Sequence, residues 1–281
     1  MLGTDKFITV NSLKLHYVEH GDPSNPPFVC LHGFGNHGRS WDTLASQISD
    51  RYHVLALTAR GHGDSDRAES YEGQTFVEDT AALMDATSSA PAIVCGLSMG
   101  GQIGLGLAAL HPDKVTKFID VDAGPPGPQP SEYGKRLTEA VAASLAGWDT
   151  TEEVMEAWRA VLPGVGDKEV RRLVEHGTVR GEDGKLRSKT DPSLFQALLF
   201  PQSRTGESNT DDMGNVLWAA CGMIKCPTLI VRGSRSTAFA RETAERMLTT
   251  IPNATLVEVD SEHVVPNENP AGFYEAIKDF I

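Results

Sequence analysis

The chain has 281 residues, of which 40% are hydrophobic and 22% are charged, proportions that are ordinary for a soluble enzyme. This length is enough to bury the core of one α/β domain with an insertion, or of two small domains. The formal net charge of −13 argues against nucleic acid and against an anionic membrane surface as partners, and it disfavours polyanionic substrates.

The N-terminal segment and the cysteines predict the compartment. Residues 1–10 contain neither a basic segment nor a long apolar run, and no stretch of the sequence approaches about 18 apolar residues. We therefore expect neither a signal peptide nor a membrane helix. The four cysteines show no spacing typical of a disulfide framework or of a metal site with histidines. We predict free thiols in a reducing, cytoplasmic setting.

The first part of the chain, residues 1–124, alternates predicted strands and helices. Two apolar runs on either side of Asn11-Ser12 predict an antiparallel hairpin at a sheet edge. Short buried runs then alternate with amphipathic segments, a pattern typical of a parallel sheet with helices between its strands. The predicted strands lie at 28–31, 52–57, 92–95 and 115–121, and the helices at 41–49, 75–87 and 102–110.

A glycine-rich loop, His32-Gly33-Phe34-Gly35, follows the first of these buried strands. Two glycines around one residue let the backbone turn so that amide groups face a common point. We interpret the Phe34 N–H as one donor of an oxyanion hole. An ordinary strand-to-helix loop is the alternative interpretation.

A serine lies at a second strand-to-helix junction, in the sequence Gly-Leu-Ser-Met-Gly at 96–100. The pattern G-x-S-x-G in this context is typical of a nucleophile elbow, in which the flanking glycines avoid collisions within a tight turn. The turn strains the serine backbone and exposes its Oγ above the sheet, while the helix N-terminus faces the oxyanion. We predict Ser98 as the nucleophile and the Met99 N–H as the second oxyanion donor. A tight structural turn is the alternative.

The alternation stops at Pro125, where the segment 124–130 is rich in proline and glycine. Residues 125–212 predict an insertion of helices without a strand, and residues 213–281 return to the alternation. The predicted helices of the insertion lie at 133–145, 151–161, 168–175 and 194–199. The last part has predicted strands at 227–232 and 255–259 and helices at 240–249 and 270–281. One parallel-sheet domain with a helical insertion accounts for this order.

Five motifs, in this order along the chain, resemble those of the α/β-hydrolase superfamily, and in particular of its capped esterases and lactonases. They lie at 31–35, 60–65, 96–101, 227–233 and 262–263. The resemblance implies an α/β fold with a mostly parallel sheet of about eight strands, helices on both faces and a helical cap inserted after strand six.

The cap implied by the resemblance would carry the specificity. Aromatic side chains within it or close to it along the chain are candidates for an apolar lining of the substrate site: Trp148, Trp158, Phe195, Phe200 and Trp218. Packing of the cap on the core is the alternative role for each of them.

The predicted base is His263. A serine hydroxyl needs a positioned imidazole to act as a nucleophile near neutral pH. His263 follows the last predicted strand, where a loop would emerge at the same sheet edge as Ser98. It also fits the chain order of the family, in which the catalytic histidine comes last.

The predicted acid departs from the family pattern. The family usually places an aspartate after the seventh strand, four residues beyond a glycine, but Thr237 occupies that position and carries no charge. Some members carry the acid after the sixth strand instead, where Asp122 lies with Asp120 two residues before it. We predict Asp122 as the orienting acid. A turn or helix cap at Asp122, and a triad that has lost its acid, are the alternatives.

These residues predict a serine hydrolase that cleaves a small, mostly apolar carboxylic ester or lactone through an acyl-enzyme on Ser98. The predicted partner is this small molecule, and we expect a monomer or a small homo-oligomer. Two rivals stay open. One is C–C hydrolysis, a lyase reaction or cofactor-free oxygenation on the same fold; the other is a ligand-binding or sensor protein with a retired site.

No organic cofactor or metal is implied by the motifs. The polar loop at 60–66 contains a histidine and two aspartates, residue types that also occur in metal sites. In such loops, however, aspartate and serine mostly cap the chain and make turns. We therefore predict a structural role for this loop.

Overall fold

The computed structural model describes residues 3–125, 131–194 and 210–281 and contains one eight-stranded sheet and one short hairpin. The strands are β1 Thr4–Val10, β2 Leu13–His20, β3 Pro27–Leu31, β4 His53–Leu57, β5 Ala92–Leu97, β6 Val115–Val121, β7 Thr178–Arg180, β8 Leu186–Ser188, β9 Thr228–Gly233 and β10 Ala254–Val259.

A 3₁₀-helix at Gly38–Trp41 and ten α-helices complete the described elements. The α-helices are α1 Asp42–Ile48, α2 Gly73–Ala86, α3 Met99–Leu110, α4 Glu132–Ala146, α5 Thr151–Val161, α6 Asp167–Gly177, α7 Thr210–Met223, α8 Arg241–Thr250, α9 Val265–Glu268 and α10 Pro270–Ile277.

The large sheet has the strand order β1-β2-β4-β3-β5-β6-β9-β10. Strand β2 pairs antiparallel with β1 and with β4, and all the other pairs are parallel. This arrangement confirms the predicted α/β-hydrolase fold with its mostly parallel sheet. Since β5, β6, β9 and β10 are consecutive neighbours, the loops that follow them lie side by side at one edge.

The hairpin at the edge of the sheet forms as predicted. Val10 pairs with Leu13, so the connection is the two-residue turn Asn11-Ser12. Both residues have positive φ, 49° and 64°. A two-residue turn of this kind matches the right-handed twist of the strands.

Helices cover both faces of the sheet. On one face, Trp41, Leu44 and Phe273 pack against strand side chains such as Phe28 and Ile93. On the other face, α2, α3 and α8 contribute the buried side chains Leu83, Met84, Leu105, Leu107 and Met247. Strands buried on both faces explain the continuous apolar runs in the sequence.

Helices α4, α5 and α6 lie in the predicted insertion, close to their predicted bounds. Their apolar side chains join the core layer that contains Trp41 and Phe273. The predicted helix at 194–199 lies outside the described residues apart from its first position.

Two features of the second half differ from the prediction. The expectation of no strand in the insertion is wrong, because β7 and β8 form a hairpin and Leu186 of β8 also exchanges backbone hydrogen bonds of 2.9 and 2.7 Å with Trp148. These strands have only three residues each, too few for a periodic pattern. Helix α7 was not predicted either, and it crosses the predicted boundary at residue 213 to pack on α3.

We predict that Gly104→Ala destabilises the fold. Gly104 of α3 lies directly against the fully buried Phe118 of β6, and a Cβ there would overlap the ring. The expected decrease in the free energy of unfolding, measured by urea denaturation, is about 1–3 kcal/mol because the core must shift.

The matched control is Gly222→Ala in α7, where a Cβ meets open space. It should leave the free energy of unfolding unchanged or raise it by up to about 1 kcal/mol through better helix propensity. Equal effects of the two substitutions would contradict the packing argument.

Candidate active site

The serine of the predicted elbow occupies the junction between β5 and α3. Ser98 has φ 54° and ψ −116°, a strained conformation for a residue other than glycine. Its N–H donates to the Val121 carbonyl oxygen at 3.0 Å, and its side chain is half-buried. A Cβ on Gly96 would overlap the Gly100 backbone, and one on Gly100 would overlap the Leu31 backbone. The flanking glycines are therefore required by close backbone approach.

The loop after β3 lies beside this serine. A Cβ on Gly33 would be 3.5 Å from the Ser98 Cβ, which places the predicted oxyanion loop next to the nucleophile. On the other side of the serine, Met99 is the first residue of α3, so its N–H has no acceptor within the helix. The two predicted amide donors thus belong to segments that meet at Ser98.

A buried histidine fixes the shape of the loop after β3. The Ala59 N–H donates to His32 Nε2 at 3.0 Å, so this nitrogen carries no proton, and Nδ1–H donates to the Gly33 carbonyl oxygen at 2.7 Å. Burial, followed by the neighbouring His62, keeps the pKa of His32 well below its usual value. A neutral ring with one fixed tautomer holds the backbone just before Phe34.

Asp122 and His263 are in direct contact. The distance between Asp122 Oδ2 and His263 Nδ1 is 2.7 Å. Asp122 Oδ2 also accepts from the Ser236 hydroxyl at 2.6 Å, and Oδ1 accepts from the Gly233 N–H at 2.8 Å. Asp122 has φ 47° and is 2% exposed, and His263 is 4% exposed. Three donors around two buried oxygens suit an ionised carboxylate.

Thr237, at the usual position of the acid, lies away from this contact. It is exposed, and its hydroxyl accepts a 3.3 Å hydrogen bond from the Tyr133 N–H. The structure thus brings together the predicted acid and the predicted base, and it places the uncharged substitute on the surface.

The neighbouring carboxyl group of Asp120 has a different environment. Asp120 is fully buried in β6, and neither of its oxygens has a hydrogen-bond partner among the described residues. Burial, and then the charge of Asp122, raise the pKa of Asp120 well above its usual value. Asp120 therefore retains its proton to a higher pH than an exposed aspartate, and it has no contact with His263 of the kind that Asp122 makes.

Helix α4 contributes a residue that the sequence did not indicate. The Tyr133 ring lies 4.2 Å from the His263 ring, measured between centroids, at an interplanar angle of 54°. Burial raises the pKa of the Tyr133 hydroxyl, so the ring next to the imidazole is uncharged. One turn further along α4, Arg136 Nη2 donates to Glu262 Oε2 at 2.6 Å. The Ser131 cap marks where the helix begins, but no sequence pattern shows which of its side chains reaches His263.

The predicted aromatic lining falls in two different places. Trp158 of α5 lies next to the oxyanion loop, since a Cβ on Gly35 would be 3.6 Å from its Cη2. Trp148 and Trp158 both pack against the core layer that contains Trp41 and Phe273. Trp218 of α7 belongs to the opposite layer, and the Arg246 guanidinium lies 3.7 Å above its ring. The position of Trp218 therefore gives no support to a role in substrate binding. Phe195 and Phe200 lie outside the described residues.

The polar loop at 60–66 is held by structural hydrogen bonds. Arg60 donates twice to Asp79, at 2.6 and 2.7 Å, and Asp66 accepts from the Lys14 N–H at 2.7 Å. Within 3–125, 131–194 and 210–281, no group of three or more His, Cys, Asp or Glu side chains could hold a metal ion. The four cysteines are free thiols. None of the described helices combines the length and the apolar character needed to cross a membrane.

Known proteins similar to this chain identify its family. A family model described as the alpha/beta hydrolase fold matches residues 26–270. The chain belongs to the α/β-hydrolase family. It is accordingly a hydrolase of this type, acting on a small-molecule substrate.

Relatives and solved structures cover nearly the whole chain. The 3-hydroxybutyrate-oligomer hydrolase of Cupriavidus necator is 30% identical over 92% of this chain and 89% of its own length. The 2-(acetamidomethylene)succinate hydrolase of Mesorhizobium japonicum is 27% identical over 100% and 97%. A crystal structure of E-2-(acetamidomethylene)succinate hydrolase superposes with a TM-score of 0.82 at 24% identity, covering 99% of this chain and 98% of that one. This likeness to the solved structure shows the fold alone.

We predict that Asp120→Asn stabilises the hydrolase more at alkaline pH than at acid pH. In the unfolded chain Asp120 ionises near pH 3.8, whereas the folded chain retains the proton to a higher pH. Above pH 3.8 the folded state therefore binds more protons at Asp120 than the unfolded state does. As a result, the free energy of unfolding falls as the pH rises through this range. Asparagine does not titrate, and its advantage in the free energy of unfolding should be larger at about pH 8 than at about pH 5.

Urea denaturation at the two pH values measures this difference. Asp260→Asn is the control, because the Asp260 side chain is 79% exposed and should give the same small effect at both. A pH-independent effect of Asp120→Asn would show that Asp120 is ionised in the folded protein.

Proposed function

We propose that this α/β-hydrolase is a serine hydrolase that cleaves a small carboxylic ester or lactone through an acyl-enzyme on Ser98. His263 is the general base, Asp122 orients it, and the N–H groups of Phe34 and Met99 bind the oxyanion. The observation that carries the proposal is the 2.7 Å contact between Asp122 Oδ2 and His263 Nδ1. It supplies an acid to a chain that has threonine where the family usually has aspartate.

The contact assigns the two ring nitrogens different tasks. In the proposed mechanism His263 Nδ1–H donates to Asp122 Oδ2, which leaves Nε2 as the nitrogen that takes the proton of the Ser98 hydroxyl. As Ser98 Oγ attacks the carbonyl carbon, the carbonyl oxygen becomes an oxyanion and accepts hydrogen bonds from the two amides. The imidazolium then returns its proton to the leaving alkoxide, and an acyl-serine is left.

Water completes the reaction by the same route. His263 takes a proton from a water molecule, the hydroxide adds to the acyl carbon, and the second tetrahedral intermediate expels Ser98 Oγ. The proton returns from His263 to the serine, so the enzyme is regenerated and a carboxylic acid is released. With a lactone the alcohol and acid groups remain in one product.

Two of the relatives support a carbonyl substrate. The names of two of them specify hydrolysis of 3-hydroxybutyrate oligomers and of 2-(acetamidomethylene)succinate. Trp158 lies beside the proposed oxyanion loop, and Tyr133 lies beside the imidazole. Both rings supply apolar surface near the proposed site, and we place the mostly apolar part of the substrate against them.

The same contacts support a cap. Tyr133 and Trp158 belong to α4 and α5, within the segment 125–212 that the sequence separates from the two parts of the core, 1–124 and 213–281. Since α7 packs on α3, we place the end of the cap before that helix. We propose a cytoplasmic enzyme that is a monomer or a small homo-oligomer.

A fluorophosphonate probe tests the nucleophile without knowledge of the substrate. An activated Ser98 should form one phosphonyl adduct with loss of fluoride, visible as a single mass increase of the intact protein. Ser98→Ala should form none. No adduct on the wild-type protein would contradict covalent catalysis, and C–C hydrolysis, lyase or oxygenase chemistry on the His–Asp pair, or simple ligand binding, would then explain the site better.

Substitution of the acid tests the proposed triad. Asp122→Asn should lower kcat for an activated ester by roughly 10³- to 10⁴-fold, because the amide no longer fixes the tautomer or stabilises the imidazolium. Thr237→Asp should change kcat by less than about twofold, since Thr237 is exposed and contacts the Tyr133 N–H. If Thr237→Asp instead raised the activity, or restored that of Asp122→Asn, the acid would belong at 237.

A further inference from the structure

The backbone around His263 is held by a carboxylate that the proposed triad does not use. Glu268 Oε2 accepts from the Glu262 N–H at 2.6 Å, and Oε1 accepts from the Val264 N–H at 3.0 Å. These are the two amides that flank the catalytic histidine. Glu268 lies at the end of α9 and is half-buried.

We propose that Glu268 is a positioning residue for the general base, holding the His263 backbone through these two amide hydrogen bonds. The proposal rests on the proposed function, since it gives His263 the task of the base. Glu268 contacts the backbone on either side of His263 and acts through that residue, so it is not itself a catalytic residue.

The other contacts of the histidine fix different parts of it. Asp122 binds the ring at Nδ1, and the Tyr133 ring packs against the imidazole. Arg136 binds the Glu262 side chain, which is joined to the loop through several rotatable bonds. Among these contacts, the Glu268 carboxylate is the one that binds the backbone on both sides of His263.

The negative charge of Glu268 and the nearby Gly164 turn favour its two hydrogen bonds to the backbone. Hydrogen bonds from amides to a carboxylate are charge-assisted and roughly twice as strong as those between neutral groups. Gly164, in the turn between α5 and α6, lies against Glu268: a Cβ there would be 2.8 Å from Oε2. The turn therefore limits the space into which the carboxylate can move.

A purely structural role is the competing explanation. In a capping box, an acidic side chain of the first helical turn accepts from the N-cap amide, and Glu268 does this for Val264, the N-cap of α9. The hydrogen bond from the Glu262 N–H goes beyond a cap, because Glu262 precedes the helix and the histidine. The experiment must therefore separate stability from the geometry of the base.

The two test variants are Glu268→Gln and Glu268→Ala. Glutamine keeps the size of the side chain but offers one acceptor oxygen, and its NH₂ group faces an amide N–H. We expect kcat for an activated ester to fall by about 10- to 100-fold with KM within about threefold, because a misplacement of about 1 Å can cost 10²-fold. The rate of fluorophosphonate labelling at Ser98 should fall in parallel.

Proton NMR provides a readout that a structural role would leave unchanged. The proton between His263 Nδ1 and Asp122 should give a far-downfield signal in the wild-type protein, and Asp122→Asn identifies it. In folded Glu268→Gln this signal should shift or broaden. Glu275→Gln on α10 is the control, since Glu275 is exposed and pairs only with Lys278 among the described residues.

The outcomes are distinguishable. Wild-type kcat, labelling rate and NMR signal in folded Glu268→Gln, with only a lower melting temperature, would overturn the positioning role and leave the serine mechanism intact. A wild-type protein that is not labelled at all would overturn the proposed function itself. If Glu268→Ala does not fold, Glu268→Gln still decides between the two roles.

Discussion

The Asp122 carboxylate connects the segments that follow β6, β9 and β10 at the carboxyl edge of the sheet. It follows β6 directly, it accepts from Gly233 at the end of β9 and from Ser236 after it, and it binds His263 after β10. A buried carboxylate is costly unless its oxygens are hydrogen-bonded, so the donors and the histidine must be in place for this charge to be tolerated. The orientation of the proposed base and the contacts among the segments that follow β6, β9 and β10 thus meet at one group.

Close backbone approach fixes the opposite side of the site. The elbow brings Gly96 and Gly100 so near to other backbone atoms that a side chain at either position would clash, and Ser98 retains an unfavourable φ. The neutral His32 ring holds the loop before Phe34. The strained backbone of Ser98, the proposed nucleophile, is therefore held by closely packed neighbours, which is how strained residues persist at functional sites.

The sequence was informative where the chemistry is local. The elbow, the hairpin turn and the parallel strands each depend on patterns of a few residues, and the structure contains all three. Tyr133 and Glu268 could not be found in this way, because their relation to His263 depends on where α4 packs and how α9 turns. Trp218 illustrates the same limit: it was predicted as a substrate contact because it is aromatic and near the insertion, and its packing under Arg246 on the opposite layer follows from tertiary structure.

The proposed position of the acid is consistent with the order of the strands. Because β6 and β9 are neighbours and parallel, their carboxyl ends lie side by side at the same edge of the sheet. Asp122, directly after β6, contacts the His263 imidazole from this edge. In this chain the end of β9 and the loop after it carry no acid, but the Gly233 amide and the Ser236 hydroxyl donate to Asp122 after β6. The proposed role of Asp122 as the acid therefore accounts for an uncharged residue at 237 without a broken triad.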